Sequence, residues 1–281
     1  MGEPAIFVSI TGGLGNQLFG LAAGIEQATR LGCSLVLLTS NYGKANARNF
    51  CLDKLDLPDF VSISDTPPRL PWGKKRKIFS ERGFNYDERI LDVEPGALLQ
   101  GYFQSPKYFT ETQELVRQLV FPLAIRRVGD AITDKTFFAL HVRRGDYLSA
   151  STRDFHGLAS ADYFRNGIEL LERLNGKQPL IVFSDSPQHV NQEFHNLGLE
   201  YELFDPLQQK DALTTLRELS QATGIVMSNS SFSWWAAWNI DRSFESPSLH
   251  SVIAPRPWFT AGESAMDLLL PRWITLGLEN G

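Results

Sequence analysis

The sequence predicts an α/β protein with parallel, doubly wound sheets, and two observations support this fold class. Short runs of β-branched and aromatic residues alternate with segments whose apolar residues recur at three- and four-residue spacing. Polar turns follow several of these runs, where open parallel sheets bind their ligands. We therefore expect two Rossmann-like lobes that face each other across a cleft. Because Pro122 interrupts a helical pattern before a new series of strands, the lobes are predicted to span residues 1–125 and 126–281.

The first lobe opens with a well-defined strand and helix. Ala5–Ile10 is predicted as a strand, and Asn16–Leu31 has the apolar periodicity of a helix that stops at Gly32. Leu35–Leu38 is the next predicted strand. The stretch Ser40–Val93 gives no clear pattern, so no element is assigned there.

The second lobe repeats the alternation of strands and helices. Its predicted strands are Phe137–Val142, Leu180–Phe183, Gly224–Met227 and Ser251–Ala254. Its predicted helices are one capped by Ser160, one ending at Gly198, Asp211–Ala222 and Phe232–Ile240.

Composition excludes several classes of protein. A net charge of −5 argues against a broad nucleic-acid surface. The two cysteines, Cys33 and Cys51, are too few for a disulfide scaffold, and the five histidines form no zinc pattern. Ala5–Ile10 is too short for a secretory signal, and no apolar run is long enough to span a membrane. We therefore expect a cytoplasmic protein with no metal and no cofactor. The sequence does not indicate its oligomeric state.

A basic run at Lys74–Lys77 leaves two interpretations open. It is either a solvated loop or a patch that meets anionic lipid headgroups or an acidic acceptor. The second interpretation predicts peripheral contact with the inner membrane.

The stretch His141–Tyr147 contains the residues with the clearest chemistry. A strand that opens into Arg143, Arg144, Gly145 and Asp146 is a poor packing solution but a good anion site. Two guanidiniums can each bind phosphate oxygens in a fork, and a glycine lets the backbone approach closely. The alternative is a structural salt bridge at the end of a strand.

Two further polar turns follow predicted strands of the same lobe. Ser184-Asp185-Ser186 follows one, and Ser228–Ser231 leads into the helix that contains Trp234, Trp235 and Trp238. Backbone N–H groups at a helix start attract anions, and with the arginines nearby a diphosphate is the natural guest. The alternatives are that Ser231 only caps the helix and that Asp185 only closes an Asx turn. The tryptophans are expected in the core.

The first lobe contributes the turn Thr11–Gln17 between its first strand and helix. Its glycines permit positive φ and close backbone approach, but their spacing does not match the dinucleotide fingerprint. No phosphate-binding loop of the Gly-x-x-x-x-Gly-Lys type occurs in the sequence. Two α/β lobes with a diphosphate site in the second are typical of a nucleotide-sugar transferase.

Taken in order, the motifs resemble those of the bacterial-type α-1,2-fucosyltransferases of glycosyltransferase family 11. The segments that carry the resemblance are Gly12–Phe19, Gly101–Phe109, His141–Tyr147, Ser184-Asp185, Asn229–Trp238, Pro255–Phe259 and Pro271–Trp273. They extend over nearly the whole chain. Ser186 departs from the pattern, since family members often carry a second acidic residue at that position.

The resemblance implies a GT-B-like fold that binds GDP-fucose mainly through the C-terminal lobe. It also implies metal-independent transfer of L-fucose, with inversion, to the 2-hydroxyl of a β-galactoside acceptor. Candidate donor-binding residues are Arg143 and Arg144 for the diphosphate, His141 for the guanine or ribose, and Asp185 in the nucleotide pocket. Ser230 and Ser231 are the candidates for the β-phosphate. Further candidates for donor binding are Asn229 and, in the glycine-rich turn of the first lobe, Gly15. Asn16 corresponds to an asparagine beside the reacting sugar.

The catalytic assignment combines this resemblance with elementary chemistry. Arg144 would stabilise the charge that grows on the leaving diphosphate, so Arg144→Ala is expected to slow the reaction about a hundredfold. Asp146 is the first choice of base, although it could instead orient an arginine, and a relayed water could suffice. The acceptor is open: a lipid-linked O-antigen unit, another envelope glycan or a free disaccharide. Two other functions also stay open, an O-fucosyltransferase with a different acceptor and a non-catalytic nucleotide- or glycan-binding module.

Overall fold

The computed structural model divides the chain into two compact units. It describes residues 4–43, 49–68, 75–122, 136–145, 155, 157–194, 198–204, 211–243 and 251–278. Unit 1 consists of Met1–Leu123 with Met266–Leu268, and unit 2 of Ala124–Ala265 with Leu269–Gly281. The division lies close to the predicted boundary, but it assigns a short C-terminal segment to unit 1. Asp267 holds that segment there, because its carboxylate accepts from the Tyr86 N–H over 2.9 Å and pairs with Lys107 over 2.6 Å.

Unit 1 is built on a five-stranded parallel sheet in the order β3-β2-β1-β5-β4. Its strands are β1 Ala5–Ser9, β2 Ser34–Leu38, β3 Val61–Ser64, β4 Ile78–Ser80 and β5 Leu98–Gln100. Its helices are α1 Leu14–Leu31 and α2 Gln113–Val120, with 3-10 turns at Leu52–Lys54, Glu88–Asp92 and Pro106–Phe109.

Helix α1 packs closely on the centre of this sheet. A Cβ atom added to Gly24 would lie 2.8 Å from Leu35 Cδ1 and 2.9 Å from Val8 Cγ2, so only glycine fits the contact. The helix ends where predicted, because Gly32 adopts the left-handed conformation at φ 59° and donates to the carbonyls of Ala28 and Thr29. It begins two residues earlier than predicted, at Leu14.

Unit 2 is built on a six-stranded parallel sheet in the order β11-β10-β9-β6-β7-β8. Its strands are β6 Phe138–Val142, β7 Leu180–Ser184, β8 Glu202–Leu203, β9 Gly224–Met227, β10 Val252–Arg256 and β11 Ile274–Gly277. Its helices are α3 Ala161–Asn175, α4 Pro187–Phe194, α5 Ala212–Leu219 and α6 Ser231–Ser243.

The core of unit 2 follows from two sequence patterns. Strands β6 and β9 are buried throughout and appear in the sequence as continuous apolar runs. Ser160 caps α3 as predicted, because its hydroxyl accepts from the Tyr163 N–H over 3.0 Å. The prediction that the tryptophans of α6 lie in the core is confirmed, since Trp234, Trp235 and Trp238 are all buried.

Each sheet reverses its strand order at one point. In unit 1 the chain adds β2 and β3 on one side of β1 and places β5 on the other, so the reversal lies between β1 and β5. In unit 2 it lies between β6 and β9. Open α/β sheets bind ligands beyond the carboxyl ends of the strands at such switch points. The doubly wound α/β fold class is therefore confirmed, and each unit carries one such point.

Two cations of the basic run contact other groups of the protein. Lys74 lies outside the described residues. Arg76 donates to the carbonyls of Gly96 and Pro68 and lies 4.0 Å from the centre of the Phe7 ring, while Lys77 pairs with Glu94 over 2.6 Å. Two of the three described cations therefore have protein partners. Within the described part of the chain, no helix has the length and apolar composition needed to cross a bilayer.

Candidate functional site

At the unit 2 switch point, a serine hydroxyl joins the ends of β6 and β9. Ser228 Oγ donates to the His141 carbonyl over 2.8 Å and accepts from the Arg143 N–H over 3.0 Å. This pair of bonds fixes the backbone where β6 opens into residues 143–145, the arginine turn. The sequence pattern includes Ser228 in a polar turn but does not indicate it as a site residue.

Asp185 organises the arginine turn from the end of the neighbouring strand β7. Its Oδ1 accepts from the N–H groups of Arg144 and Gly145 over 2.8 and 3.1 Å, and its Oδ2 pairs with Arg143 Nη1 over 2.9 Å. A Cβ atom on Gly145 would lie 2.5 Å from Oδ2, so the glycine is needed for the approach of this carboxylate. Asp185 therefore binds across the sheet to the arginine turn.

The two arginines have different surroundings, although the sequence predicts that both meet the same diphosphate. Arg144 is 1% exposed, whereas the Arg143 side chain is 20% exposed. Arg144 Nε pairs with Glu193 over 2.8 Å, Nη2 donates to the Ala159 carbonyl, and the guanidinium lies 5.5 Å from the centre of the Phe164 ring. Adjacent residues of an extended chain point to opposite faces, so the pair divides between the core and the site.

His141 is held neutral by burial inside the sheet. Burial lowers its pKa to about 4, the Asp185 charge opposes this shift, and the Arg143 charge adds to it. The ring stacks against Phe232 with centroids 5.5 Å apart, and Nδ1 has no hydrogen-bond partner among the described residues. A buried nitrogen without a partner is uncommon and is found at binding sites.

The turn before α6 brings backbone N–H groups to the same switch point. The helix begins at Ser231, and the Ser230 carbonyl accepts its first bond from the Trp234 N–H over 3.0 Å. Ser230 is buried and Ser231 half-buried. Asn229 is buried and donates to the Trp258 carbonyl over 3.1 Å, which fixes the turn. Four N–H groups at a helix start lack partners within the helix, so this end is suited to an anion.

The glycine-rich turn of unit 1 surrounds the side chain of Asn16. Gly12 has φ 77°, and a Cβ atom there would lie 2.7 Å from Asn16 Nδ2. Gln17 stabilises the turn, since its Nε2 donates to the carbonyls of Gly12 and Asn49, and its Oε1 accepts from the Cys51 N–H. Gly15 is buried in the first turn of α1. Asn16 is half-buried and lies at the carboxyl end of β1.

Gln104 reaches Asn16 from the end of β5. Its Nε2 donates to Asn16 Oδ1 over 2.9 Å. The preceding residue, Phe103, has φ 53°, and Glu81 Oε2 holds this conformation by accepting from the N–H groups of Tyr102 and Phe103. Gln104 lies within the motif Gly101–Phe109, but the sequence alone does not predict it as a site residue. Glu81 lies in the stretch without a clear pattern.

One predicted catalytic residue is not among those that the structure describes. Asp146 lies outside the described residues, so its role as base stays a prediction. Within the ranges that the structure describes, no group of three or more histidine, cysteine or acidic side chains could hold a metal ion.

The two switch-point sites indicate an α/β protein that binds ligands at the carboxyl ends of its strands. Each unit is a parallel α/β sheet with polar side chains at the reversal of its strand order, and the unit 2 site suits an anion. The sequence profile of glycosyl transferase family 11 matches residues 94–244, more than half of the chain. The chain belongs to this family and is a glycosyltransferase.

Two proteins of Escherichia coli are similar along nearly their full length. An alpha-1,2-colitosyltransferase is 27% identical, over 96% of this chain and 98% of that protein. The O-antigen biosynthesis glycosyltransferase WbnK is 26% identical, over 96% of this chain and 100% of that protein.

A solved fucosyltransferase has a similar fold. NodZ from Bradyrhizobium superposes with a TM-score of 0.54 at 14% identity, over 84% of this chain and 92% of that one. NodZ alpha-1,6-fucosyltransferase co-crystallised with GDP gives a TM-score of 0.51 at 15% identity, with the same coverage. At this identity the likeness shows a shared fold.

Proposed function

We propose that the protein transfers L-fucose from GDP-β-L-fucose to the 2-hydroxyl of a galactose-containing glycan, with inversion at the anomeric carbon. Membership of family 11 and the similarity to a transferase that forms α-1,2 linkages support this proposal. The observation that carries it is the cluster of Arg143, Asp185 and the α6 start at the unit 2 switch point.

Arg143 and the start of α6 bind the diphosphate. A guanidinium has five N–H donors, so Arg143 can keep its bond to Asp185 and also donate to phosphate oxygens. The N–H groups of the Ser230-Ser231 turn add donors without a further charge. Both sets meet negative charge that grows on the leaving diphosphate as the glycosidic bond breaks, which lowers the barrier.

The other donor-site residues fix these groups in place or contact the nucleoside. Asp185 orients Arg143, and Ser228 holds the backbone between them. His141 has a neutral ring, and its buried Nδ1, which has no partner among the described residues, can accept from a hydroxyl or N–H of the guanosine. Asn229 fixes the turn before α6 from within, and Arg144 fixes the arginine turn through Glu193 and Ala159. Preorganised donors need no rearrangement when the charge develops.

The acceptor side of the proposal rests on unit 1. Asn16 lies at the unit 1 switch point, where its side-chain amide can donate to a sugar oxygen. The acceptor hydroxyl attacks the anomeric carbon opposite the diphosphate and loses its proton to a base, for which Asp146 is the candidate. No step requires a metal ion, because Arg143 and backbone donors neutralise the diphosphate. We expect full activity in EDTA.

A second candidate is the transfer of colitose from its GDP-linked form. It is favoured by the full-length similarity to the alpha-1,2-colitosyltransferase. Colitose is fucose without the 3-hydroxyl, so the two donors share the diphosphate chemistry and differ in one hydrogen-bonding group. A site that binds this hydroxyl strongly rejects the sugar that lacks it, whereas an apolar site discriminates weakly.

One experiment separates these functions. The protein is incubated with GDP-fucose or GDP-colitose and a panel of β-galactosides that includes lactose, with and without EDTA. GDP release is measured, and the linkage of the product is determined by NMR. Arg143→Ala should abolish most turnover, and Arg165→Ala, which removes a partly exposed arginine on α3, is the matched control. GDP binding without turnover on any acceptor would favour a binding module, and a product linked elsewhere than O2 would reject the α-1,2 assignment.

We also propose that the acceptor is a glycan of cell-envelope assembly, in line with the O-antigen role in the name of WbnK. If that acceptor is lipid-linked, the enzyme works at the cytoplasmic face of the inner membrane. Lys75 and Lys77 are the exposed described residues of the basic run, and Lys77 pairs with Glu94. Membrane contact predicts that Lys75→Glu lowers the fraction of protein that sediments with anionic vesicles.

A further inference from the structure

We infer that Gln104 is a positioning residue for Asn16: its side-chain amide orients Asn16 so that Nδ2 donates to a sugar oxygen at the unit 1 switch point. This inference rests on the proposed sugar transfer and adds a residue to it. It starts from the 2.9 Å bond between Gln104 Nε2 and Asn16 Oδ1. Because that bond engages the oxygen of Asn16, its amide offers N–H donors to a ligand.

The location of the pair indicates a ligand site. Asn16 follows β1 and Gln104 follows β5, and these neighbouring strands flank the reversal of strand order in the unit 1 sheet. Doubly wound sheets bind ligands at this position. The two amides are 88 positions apart in the sequence, so no local pattern accounts for their contact.

The backbone before Gln104 is strained, and the surrounding structure maintains the strain. Phe103 has φ 53°, a value rarely adopted by a bulky residue. Glu81 Oε2 accepts from the Tyr102 N–H over 2.7 Å and from the Phe103 N–H over 2.9 Å, while burial raises the pKa of Glu81. Strain that the fold maintains in this way is concentrated at functional sites.

The turn also leaves a polar atom of Gln104 unsatisfied. Its Oε1 is buried and has no hydrogen-bond partner among the described residues. A buried oxygen in this state destabilises the fold, because no hydrogen bond compensates for the loss of its hydration. An apolar side chain would avoid this loss, so the amide is explained better by its bond to Asn16 than by packing.

The amide of Asn16 is also held at its nitrogen, on the side of Gly12. A Cβ atom on Gly12 would lie 2.7 Å from Asn16 Nδ2, so Gly12 leaves room for the amide in this orientation. Gln17 ties the Gly12 carbonyl to Asn49. The glycine turn and the strained turn therefore hold one carboxamide from two sides.

A double-mutant cycle with Asn16→Ala and Gln104→Ala tests this inference. Misplacing a substrate-contacting group slows catalysis by about ten- to a hundredfold, so each single variant should lose kcat by that order. The double variant should be no slower than Asn16→Ala alone, because Gln104 acts through Asn16. The GDP dissociation constant, measured by calorimetry on the full chain, should stay within about twofold, since the proposed donor residues lie in unit 2.

A second variant covers the case in which Gln104→Ala does not fold. Gln104→Glu keeps the volume but replaces the Nε2 donor with an oxygen, so Asn16 must turn its N–H groups toward the new carboxylate. We expect a loss of kcat with an unchanged free energy of unfolding. Gln118→Leu, which removes an exposed amide from α2, is the matched control and should keep the kcat of the wild type.

The outcomes distinguish this inference from the proposed function. If the wild type transfers sugar but the effects of the two alanine substitutions multiply, or if Gln104→Glu keeps its kcat, the positioning role is rejected while the function stands. A large loss of GDP affinity in Gln104→Glu would also reject it, because that result assigns Gln104 to donor binding. If the wild type shows no transfer with any donor, the proposed function itself fails.

Discussion

Arg143 and Arg144 differ most sharply at the scale of single residues. They are adjacent in sequence and carry the same charge, yet one guanidinium borders the proposed site and the other is buried against Glu193 and the Ala159 carbonyl. Their substitutions should therefore change different quantities, catalytic rate for Arg143 and folding stability for Arg144.

We expect Arg143→Ala to lower kcat about a hundredfold, the loss typical for one charge-stabilising donor, with a change of no more than about 1 kcal/mol in the free energy of unfolding. Arg144→Ala leaves a carboxylate and a carbonyl without their partner and should lower that free energy by about 2–4 kcal/mol. Denaturant unfolding and GDP release measure both quantities. An Arg144→Ala variant that is as stable as the wild type but slow would restore the original prediction of a diphosphate contact.

His141 gives the protein a dependence of stability on pH. Burial lowers its folded-state pKa to about 4, below the ordinary value near 6.5, so between these values the unfolded chain binds a proton that the folded chain does not. The contribution of neutral His141 to the free energy of unfolding is therefore fully present above pH 6.5. It decreases by about 3 kcal/mol as the pH drops toward 4. His141→Gln has no such proton to bind. The difference in unfolding free energy between wild type and variant should shrink over this range, and a difference that is constant with pH would contradict the assignment.

At the scale of elements, the turn before α1 contains two neighbouring glycines with different requirements. Gly12 has φ 77° and no room for a Cβ atom beside Asn16 Nδ2, whereas Gly13 has an extended backbone and, apart from its chain neighbours, no described atom within 4 Å of its Cβ position. Gly12→Ala should therefore lower the free energy of unfolding by about 1–3 kcal/mol. Gly13→Ala should lower it by no more than about 1 kcal/mol, because it only changes the residue before the helix. Equal losses in urea unfolding would show that the contact with Asn16 does not matter.

Elements were predictable from the sequence where local patterns are strong. The strands β6, β7 and β9 were predicted to within one residue, because buried parallel strands are continuous apolar runs. The strands β3 and β4 were missed, since they are short and partly exposed.

The same limit applied to the candidate site. Arg143 and Asp185 stand out at strand ends, but Glu81 and Glu193 do not. They act on partners that are 22 and 49 residues away in the chain, and no local spacing signals such contacts. The burial of Arg144 was missed for the same reason, because its partners lie on later elements.

At the scale of the whole molecule, the two switch points divide the chemistry between the units. Unit 2 carries the arginine turn, Asp185 and the start of α6, and unit 1 carries the Asn16–Gln104 pair. GDP lacks the fucose that is transferred, so its contacts should be with the unit 2 groups. Backbone N–H groups that bind phosphate should then exchange more slowly with solvent, because a ligand that binds only the folded state suppresses local opening.

Hydrogen exchange of the full chain, followed by mass spectrometry with and without GDP, measures this division. We expect the largest protection in peptides that cover residues 141–145 and 228–234, and little change over residues 11–17 and 101–105. Arg143→Ala should reduce the protection and Arg165→Ala should not, since the partly exposed Arg165 guanidinium pairs with Asp162 on its own helix, α3. Protection confined to the unit 1 peptides would assign the diphosphate to the glycine turn and overturn the placement of the donor, because the two sets of N–H groups belong to separate sheets.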